Sequence, residues 1–264
     1  MTLDDCWMIG AGNMGRALLQ GWQAAGLPVG DMMVVDPQQP DLPGGGRALA
    51  ALPENAAPPR AVVLAIKPQF FAAVAADLAP RLARRTRVIS MLAGTRVERI
   101  RSALGADHVC RIMPNLPVAI GLGATGAWTD TPDAELRSLV DTLGGAVGLL
   151  EWLEEEDQLD AFTALGGCSP AFALRFAAAL ADAAAEQGLK LDQSRRIALA
   201  VLSGAAGLAA TSDRSIEALV DSVASKGGAT RAGLDQLDAN DALRSLVGQA
   251  VGAATLRSRE LSHE

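Results

Sequence analysis

A glycine-rich segment near the amino terminus has the residue types and the spacing that bind phosphate groups. In Gly10-Ala11-Gly12-Asn13-Met14-Gly15 the first glycine allows a tight turn, the second lets a pyrophosphate approach the backbone, and the third lets a helix lie close to a strand. The apolar run Cys6–Ile9 before it predicts a strand, and Asn13–Ala25 after it predicts a helix whose amino terminus attracts anions. The sequence therefore predicts a dinucleotide site that contains Gly10, Gly12, Asn13, Met14 and Gly15.

One carboxylate after the next predicted strand bears on which dinucleotide binds. Asp36 follows the apolar run Met32–Val35, about twenty residues past the glycines, where a carboxylate bonds the 2′-hydroxyl of an adenosine ribose. A 2′-phosphate would be repelled there, and no Lys or Arg follows before Arg47. The cofactor is NADPH or NADH, and Asp36 favours NADH. Asp36 in front of Pro37 is also typical of a simple turn, and both interpretations stay open at this point.

The residues that the chain lacks exclude several kinds of nicotinamide enzyme. It contains no tyrosine, two histidines and three widely spaced cysteines (Cys6, Cys110, Cys168). A Tyr–Lys proton donor is impossible, and zinc chemistry lacks a Cys/His cluster, so no metal site is predicted. Reduction of an imine avoids the need for a strong acid, because the nitrogen can arrive already protonated.

The elements that position these residues alternate between strand and helix in the first part of the chain. Apolar runs spaced by helical lengths predict further strands at Ala61–Ile66, Arg87–Leu92, Val109–Met113, Ala124–Thr129 and Ala146–Leu150. This pattern is typical of an α/β fold, here a mostly parallel, doubly wound sheet of the Rossmann type. We assign this dinucleotide-binding domain to residues 1–155.

The strand pattern ends there, and the rest of the chain has a helical pattern. Ser169-Pro170 predicts the N-cap and first turn of an Ala-rich helix, and Asp192 predicts the cap of a second one. A third helix is predicted at Ile216–Val223, and more helices follow towards the C-terminus. Residues 156–264 are therefore predicted to form an all-helical domain.

Composition limits the partners and the compartment. The net charge of −7 argues against nucleic acid or an anionic membrane surface as the main partner. No uncharged helical stretch has the length to span a membrane, and the amino terminus does not resemble a signal peptide. The odd number of cysteines indicates reduced thiols, so we expect a cytoplasmic protein.

A second glycine-containing segment, Ser225-Lys226-Gly227-Gly228-Ala229-Thr230, precedes a predicted helix. Backbone N–H groups at such a helix start suit a carboxylate, and the Thr230 hydroxyl lies where it can reach an adjacent ring nitrogen. On these residues alone, a plain Gly-Gly link with Thr as a helix cap is the simpler interpretation.

Segments along almost the whole chain, in the same order, resemble the pyrroline-5-carboxylate reductase family. Besides the two glycine segments they are Ala65-Ile66-Lys67-Pro68-Gln69, Ser90-Met91-Leu92-Ala93-Gly94, Arg111-Ile112-Met113-Pro114-Asn115-Leu116-Pro117, Thr163–Phe172 and Ala232-Gly233-Leu234. The resemblance implies a Rossmann domain followed by a helical domain through which subunits dimerise, often into rings of dimers. It also implies hydride transfer from NAD(P)H to the C=N bond of 1-pyrroline-5-carboxylate, the last step of proline biosynthesis.

The resemblance also implies roles for individual residues. Thr230 matches the threonine that hydrogen-bonds the ring nitrogen, and Met113-Pro114-Asn115 matches the motif that lines the cleft between the domains. The implied substrate-binding residues are Ser225, Gly227, Gly228, Ala229, Thr230 and Asn115, and the implied contacts along the nicotinamide side are Ala65, Ile66, Lys67 and Pro68.

The chain departs from the family pattern in places that bear on its substrate. Lys226 stands where the family usually has proline, and Ser169 and Phe172 replace a glycine and a tyrosine. A cyclic imine with a larger ring therefore remains an alternative substrate, and a non-catalytic paralogue that binds the dinucleotide is a second alternative. A β-hydroxyacid dehydrogenase is disfavoured, because the segment Gly166–Leu189 lacks the lysine that such enzymes use.

Overall fold

The computed structural model describes the backbone of residues 3–263 and the side chains of residues 3–261. The strands of its sheet are β1 (Cys6–Ile9), β2 (Met33–Val35), β3 (Ala61–Leu64), β4 (Arg87–Ser90), β5 (His108–Met113), β6 (Gly123–Trp128) and β7 (Gly148–Trp152). Each predicted apolar run contains or overlaps one of these strands. Helices α1 (Asn13–Ala24), α2 (Phe71–Leu78), α3 (Val97–Leu104), α4 (Ala134–Gly145) and α5 (Gln158–Phe162) accompany the sheet.

The sheet has seven strands in the order β2-β1-β3-β4-β5-β6-β7. Strands β1 to β5 are parallel, whereas β6 runs antiparallel to β5 and β7 runs parallel to β6. The reversal follows from the connection between Met113 and Gly123, which is shorter than the dozen or more residues that a parallel crossover needs. Because the chain leaves β1 towards β2 and returns on its other side as β3, the carboxyl ends of these strands form the crevice in which such folds bind dinucleotides.

Both faces of the central strands β1 and β3 are buried, which is why these two strands are apolar at every position. Successive residues of β1 alternate between two core clusters: Cys6 and Met8 belong to one, and Trp7 and Ile9 to the other. Trp22 of α1 lies in the first cluster and donates its indole N–H to the carbonyl of Leu143 at 2.7 Å. The predicted α/β fold class is therefore confirmed, with a mostly parallel sheet covered on both sides.

The chain divides into two compact units, one that runs to Cys168 and resumes at Ala254, and one formed by Ser169–Ala253. The second unit contains α6 (Ser169–Glu186), α7 (Leu191–Ala210), α8 (Ile216–Val223), α9 (Ala229–Asp238) and the first part of α10 (Ala242–His263). This division falls after Cys168, whereas the boundary predicted after residue 155 marks the end of the strand pattern. That boundary stays a prediction.

Two predicted helix caps are wrong. α6 begins at Ser169, as predicted, but Ser169 is not an N-cap, because α5 and a π-helical turn, Thr163–Cys168, lead into α6 without a break. Asp192 is not the cap of α7: the N-cap is Lys190, and Asp192 lies within the first turn, where a carboxylate still favours the helix dipole.

The helical unit leaves many large apolar side chains exposed. Its small core contains Ala177, Ala181 and Ala198, where α6 and α7 pack closely. Leu174, Leu199, Val201 and Leu208 are more than half exposed on these two helices. Among the described residues, the helical run Gln158–Glu186 passes a test of length and composition for a membrane span, which core helices of soluble proteins pass as well.

Candidate functional site

The Gly10–Gly15 turn has the geometry that its three glycines require. Gly10 has φ +95°, and a Cβ atom there would lie 2.5 Å from the carbonyl oxygen of Ala65. A Cβ on Gly15 would lie 2.7 Å from the carbonyl oxygen of Gly10. Neighbouring protein atoms therefore leave no space for a side chain at Gly10 or Gly15. A Cβ on Gly12, by contrast, would meet no protein atom within 4 Å.

The open side of this turn is the start of α1. Gly12 is the N-cap of α1 and has no side chain to bond the amides of the first turn. Asn13 is exposed and Met14 is half-buried against the core, so the helix start remains accessible. Backbone N–H groups at a helix N-terminus beside an open glycine suit a pyrophosphate. The residues present therefore fit a dinucleotide.

The Asp36 carboxylate lies at the end of β2, where the sequence predicts it, and is held there by two main-chain donors. Its Oδ2 accepts a hydrogen bond from the nitrogen of Ala11 at 2.8 Å, and its Oδ1 accepts one from the nitrogen of Gln38 at 2.9 Å. The hydrogen bond from Gln38 forms the simple turn that the sequence also allowed. The hydrogen bond from Ala11 joins Asp36 to the glycine turn. Each carboxylate oxygen keeps lone pairs for further donors such as ribose hydroxyls.

Residues 65–68 follow β3 at the same edge of the sheet. Ala65 continues the strand pairing by donating its N–H to the carbonyl of Ile9 at 2.8 Å. Ala65 and Ile66 are half-buried, whereas Lys67 and Pro68 are exposed. Since Ala65 also lies against Gly10, this segment is brought together with the glycine turn in one site.

Asn115 follows β5 and is buried, with an exposed fraction of 7%. Its Nδ2 donates to the carbonyl oxygen of Gly166 at 2.8 Å, and its Oδ1 accepts from the nitrogen of Ala124 at 2.9 Å. The side-chain amide thus joins the end of β5 to β6 and to the π-helical turn Thr163–Cys168.

A buried ion pair supports the strand that carries Asn115. Glu156 accepts hydrogen bonds from the side chain of Arg111 on β5 at 2.9 Å and from the nitrogen of Val97, the first residue of α3, at 2.8 Å. The side chains of Arg111 and Glu156 are only 6% and 9% exposed. Because both charges are paired and hydrogen-bonded, this network is compatible with burial and restrains β5 relative to the segment that leads into α5.

In the helical unit, the segment Ser225–Thr230 forms a tight turn at the start of α9. The nitrogen of Gly228 donates to the carbonyl of Ser225 at 3.0 Å, and Gly227 between them has φ +74°. Gly228 is the N-cap of α9 and has no side chain to bond the first-turn amides, and Ala229 and Thr230 are exposed at that helix start. The structure therefore brings these residues together at an accessible helix N-terminus.

Two of the three cysteines are buried strand residues. Burial raises the pKa of the Cys110 thiol to about 12, and burial also raises the pKa of Cys6. Both thiols therefore remain protonated at neutral pH and are poor nucleophiles. Within the part of the chain that is described, no group of three or more His, Cys, Asp or Glu side chains is placed to hold a metal ion.

Sequence reasoning missed the residues that locate the π-helical turn. The ring of Phe162 lies against Gly126 of β6 and against Gly166 of the turn, where added Cβ atoms would meet it at 2.7 and 2.5 Å. The sequence gives only a weak indication of this turn, which is the glycine pair Gly166-Gly167 with Pro170 shortly after it. The partners Gly126 and Asn115 are distant in sequence, so no local pattern connects them.

Two family models match the chain. The model described as pyrroline-5-carboxylate reductase dimerisation matches residues 156–261, and the model described as NADP oxidoreductase, coenzyme F420-dependent, matches residues 7–94.

Relatives match over nearly the full length. Pyrroline-5-carboxylate reductase of Pseudomonas aeruginosa is 35% identical over 97% of this chain and 96% of its own, and the enzyme of Pisum sativum is 32% identical over 96% and 94%. Among solved structures, pyrroline-5-carboxylate reductase from Coxiella burnetii superposes with a TM-score of 0.87 at 30% identity over 98% of both chains. Pyrroline carboxylate reductase from Plasmodium falciparum, solved with NADP bound, superposes with a TM-score of 0.82 at 25% identity over 97% of both chains. The resemblance in the sequence is thereby confirmed, and this chain belongs to the pyrroline-5-carboxylate reductase family.

Proposed function

We propose that this chain transfers a hydride from a reduced nicotinamide dinucleotide to the imine carbon of 1-pyrroline-5-carboxylate and so forms L-proline. The observation that carries this proposal is the Gly10–Gly15 turn, which is closed at Gly10 and Gly15 and open at Gly12, in a chain of this family. An open middle glycine beside the uncapped start of α1 is what a pyrophosphate requires.

The dinucleotide, when bound, supplies the hydride, and the protein supplies binding and orientation. Gly12, Asn13 and Met14 hold the pyrophosphate at the start of α1, while Asp36 bonds the adenosine ribose. Ala65, Ile66, Lys67 and Pro68 follow the strand next to β1 and line the nicotinamide side of the crevice. Asn115 lies at the same edge of the sheet, two strands further on.

The substrate carboxylate binds the amides at the start of α9. Gly228 caps this helix without a side chain, so the N–H groups of Ala229 and Thr230 remain available for an anion. Ser225 and Gly227 shape the turn that exposes them. A carboxylate held there leaves the Thr230 hydroxyl to hydrogen-bond the ring nitrogen.

Reduction of an imine is compatible with the acidic groups that the chain contains. The imine nitrogen can enter protonated, and the product amine is itself strongly basic, so no buried acid is needed to complete the reaction. A hydroxyl that holds the nitrogen in place is sufficient, and Thr230 provides it. A tyrosine would be a stronger proton donor, and the chain contains no tyrosine.

For the cofactor, we propose NADH as the preferred nicotinamide dinucleotide. Main-chain donors from Ala11 and Gln38 fix the Asp36 carboxylate at the end of β2, where its charge opposes a 2′-phosphate. Arg47, the next basic residue, donates its Nε to the carbonyl of Gln39 at 2.6 Å. This hydrogen bond occupies part of the Arg47 guanidinium within its own loop.

We further propose that the helical unit joins two copies of the chain, alone or within a ring of dimers, in the cytoplasm, with neither nucleic acid nor membrane as a partner. The exposed apolar side chains of α6 and α7 support this, because such a surface is costly to leave in water. Light scattering of the purified protein measures the number of copies.

The proposed reaction is tested by tracing the hydride. With dinucleotide that carries deuterium at the transferable position, proline should contain one deuterium on the former imine carbon. Offering a six-membered cyclic imine carboxylate in parallel tests the alternative substrate. Faster transfer to the larger ring, or proline without deuterium, would refute the assignment to pyrroline-5-carboxylate.

A further inference from the structure

The carbonyl group of Gly166 lacks its normal helical partner. In an α-helix it would accept a hydrogen bond from the residue four positions later, but that residue is Pro170, which has no N–H. The proline ring also clashes with a carbonyl at that position in a regular helix. The chain avoids both problems by widening into the π-helical turn Thr163–Cys168 just before α6.

Asn115 provides the donor that Pro170 cannot. Its Nδ2 lies 2.8 Å from the Gly166 oxygen, while its Oδ1 is occupied by the nitrogen of Ala124 at 2.9 Å. The orientation of the amide is therefore fixed, because one neighbour only accepts and the other only donates. A carbonyl buried without this bond would carry the cost of desolvation.

Packing holds the same turn from another side. Phe162, the residue before the turn, places its ring between Gly126 on β6 and Gly166. Neither glycine tolerates a Cβ atom against the ring, so the turn and the strand are in close contact. The hydrogen bond and the ring together locate the turn beside the carboxyl edge of β5.

We propose that Asn115 is a positioning residue for the reaction. By holding the Gly166 carbonyl, Asn115 keeps the turn in its wider, π-helical form. The turn then stays in place as a wall of the nicotinamide side of the crevice. The inference rests on the proposed function, since it takes the crevice at the carboxyl edge as the dinucleotide site. Asn115 acts through the turn, and its side-chain amide is engaged by the main chain on both atoms. Pro170 acts with it, because it removes the N–H that would close the turn.

Two substitutions should disturb the turn with opposite effects on stability. Asn115→Ala removes the donor and should lower the melting temperature. Pro170→Ala offers Gly166 a helical N–H and replaces a poor helix former by a good one, so it should preserve or raise the melting temperature while closing the turn. Both should lower kcat about 10- to 100-fold, the loss expected when reacting groups are displaced by about 1 Å. The affinity for the dinucleotide should change little, because the glycine turn is untouched.

Thr129→Val is the matched control. Thr129 donates its hydroxyl to the carbonyl of Val109 at 2.7 Å, so this variant also loses a side-chain hydrogen bond to the main chain, but at the opposite end of β5. It should lower the melting temperature and leave kcat unchanged. In the double variant Asn115→Ala/Pro170→Ala, Gly166 regains a donor, so stability should recover while kcat stays low.

Fluorescence of the bound reduced nicotinamide gives a second readout that needs no turnover. Emission should change in Asn115→Ala and Pro170→Ala and be as in the wild type in Thr129→Val. If kcat follows the melting temperature across the four variants, or if emission is unchanged in both single variants, Asn115 is merely structural and the inference fails. A different result would refute the proposed function instead. In that case the variants show the expected emission changes, but the wild-type protein binds the dinucleotide without reducing pyrroline-5-carboxylate.

Discussion

The carboxylate of Asp36 accepts a hydrogen bond from the main-chain nitrogen of Ala11 at 2.8 Å, so the end of β2 is tied directly to the glycine turn that follows β1. A second bond from Gln38 fixes the other carboxylate oxygen. Asp36 thus serves the geometry of the turn. In the proposed function the same carboxylate also bonds the adenosine ribose, and its charge is the proposed basis for a preference between dinucleotides.

We expect Asp36→Ser to shift cofactor preference towards NADPH. Loss of a charged hydrogen-bond acceptor for the ribose should lower kcat/KM with NADH about 10- to 100-fold, while removal of the negative charge should spare or improve NADPH. The measurement is the ratio of kcat/KM for the two cofactors. Asp41→Ser, which removes an exposed carboxylate from the same loop, should leave the ratio unchanged. An unaltered ratio in Asp36→Ser would mean that Asp36 only forms the turn.

Gly12→Ala should abolish dinucleotide binding without harming the fold. A Cβ at Gly12 meets no protein atom within 4 Å, but it would occupy the space of the pyrophosphate. The melting temperature of the free protein should therefore match the wild type, and the stabilisation by added dinucleotide should disappear. Gly30→Ala, an equally open glycine away from the turn, should retain that stabilisation. Retained stabilisation in Gly12→Ala would place the pyrophosphate elsewhere.

Much of the first unit can be predicted from local sequence. Strands buried on both faces are continuous apolar runs, so Cys6–Ile9 and Ala61–Leu64 are recognisable from residue type alone. The glycine turn is equally predictable, because each of its three glycines answers a steric need within a short segment. The antiparallel placement of β6 was not predicted, since it depends on the length of one connection rather than on a residue pattern.

The π-helical turn and its supports could not be predicted locally. Asn115 and Gly166 are 51 residues apart, and the bond between them exists only once β5, β6 and the turn are assembled. The sequence predicts a helix cap at Ser169 because Ser-Pro is a common helix start. In the structure the proline instead lies inside a longer helical run, and its missing N–H is compensated by a distant side chain.

An ion pair at the amino-terminal edge of the sheet makes stability depend on pH. Hydrogen bonds from Arg87, at 2.9 and 3.1 Å, hold the pKa of Asp133 below its ordinary value. Because the folded-state pKa is the lower one, this contribution is present at neutral pH and is lost as the pH falls below about 4. Asp133→Asn keeps a side chain that can cap α4 but removes the charge that pairs with Arg87, so it should cost about 1 kcal/mol at pH 7. The difference from the wild type in denaturant unfolding should shrink towards pH 3.

Asp77→Asn is the control for this pair. Asp77 pairs with Arg81 on the surface, with 61% of its side chain exposed, so its loss should change stability little at any pH. A difference between Asp133→Asn and wild type that does not depend on pH would show that the charge of Asp133 is not the source of the effect.

The hydroxyl of Thr125 is buried beside apolar side chains that include Trp22 and Leu143, and it has no hydrogen-bond partner. Thr125→Val removes this unpaired group at nearly constant volume and should be neutral or stabilising by up to about 1 kcal/mol. Thr129→Val, which breaks the bond to Val109, should cost about 1 kcal/mol. Thermal unfolding of both variants measures the contrast, and equal losses in the two would indicate that Thr125 has a bound water as partner.

The proposed role of Thr230 is to hydrogen-bond the ring nitrogen of the substrate. If it has this role, Thr230→Ala should lower turnover of pyrroline-5-carboxylate about 10- to 100-fold while leaving dinucleotide binding nearly intact. Thr230→Ser keeps a hydroxyl at the same helix start and should retain most activity. Equal activity in all three proteins would remove Thr230 from the site.

The most direct test is the loss of absorbance of the reduced nicotinamide when the purified protein is given pyrroline-5-carboxylate, with NADH and NADPH in parallel. We expect rapid oxidation of the dinucleotide matched by formation of proline, and faster oxidation of NADH than of NADPH. Folded protein that binds either dinucleotide but oxidises neither with this substrate would contradict the assignment of this chain as a pyrroline-5-carboxylate reductase.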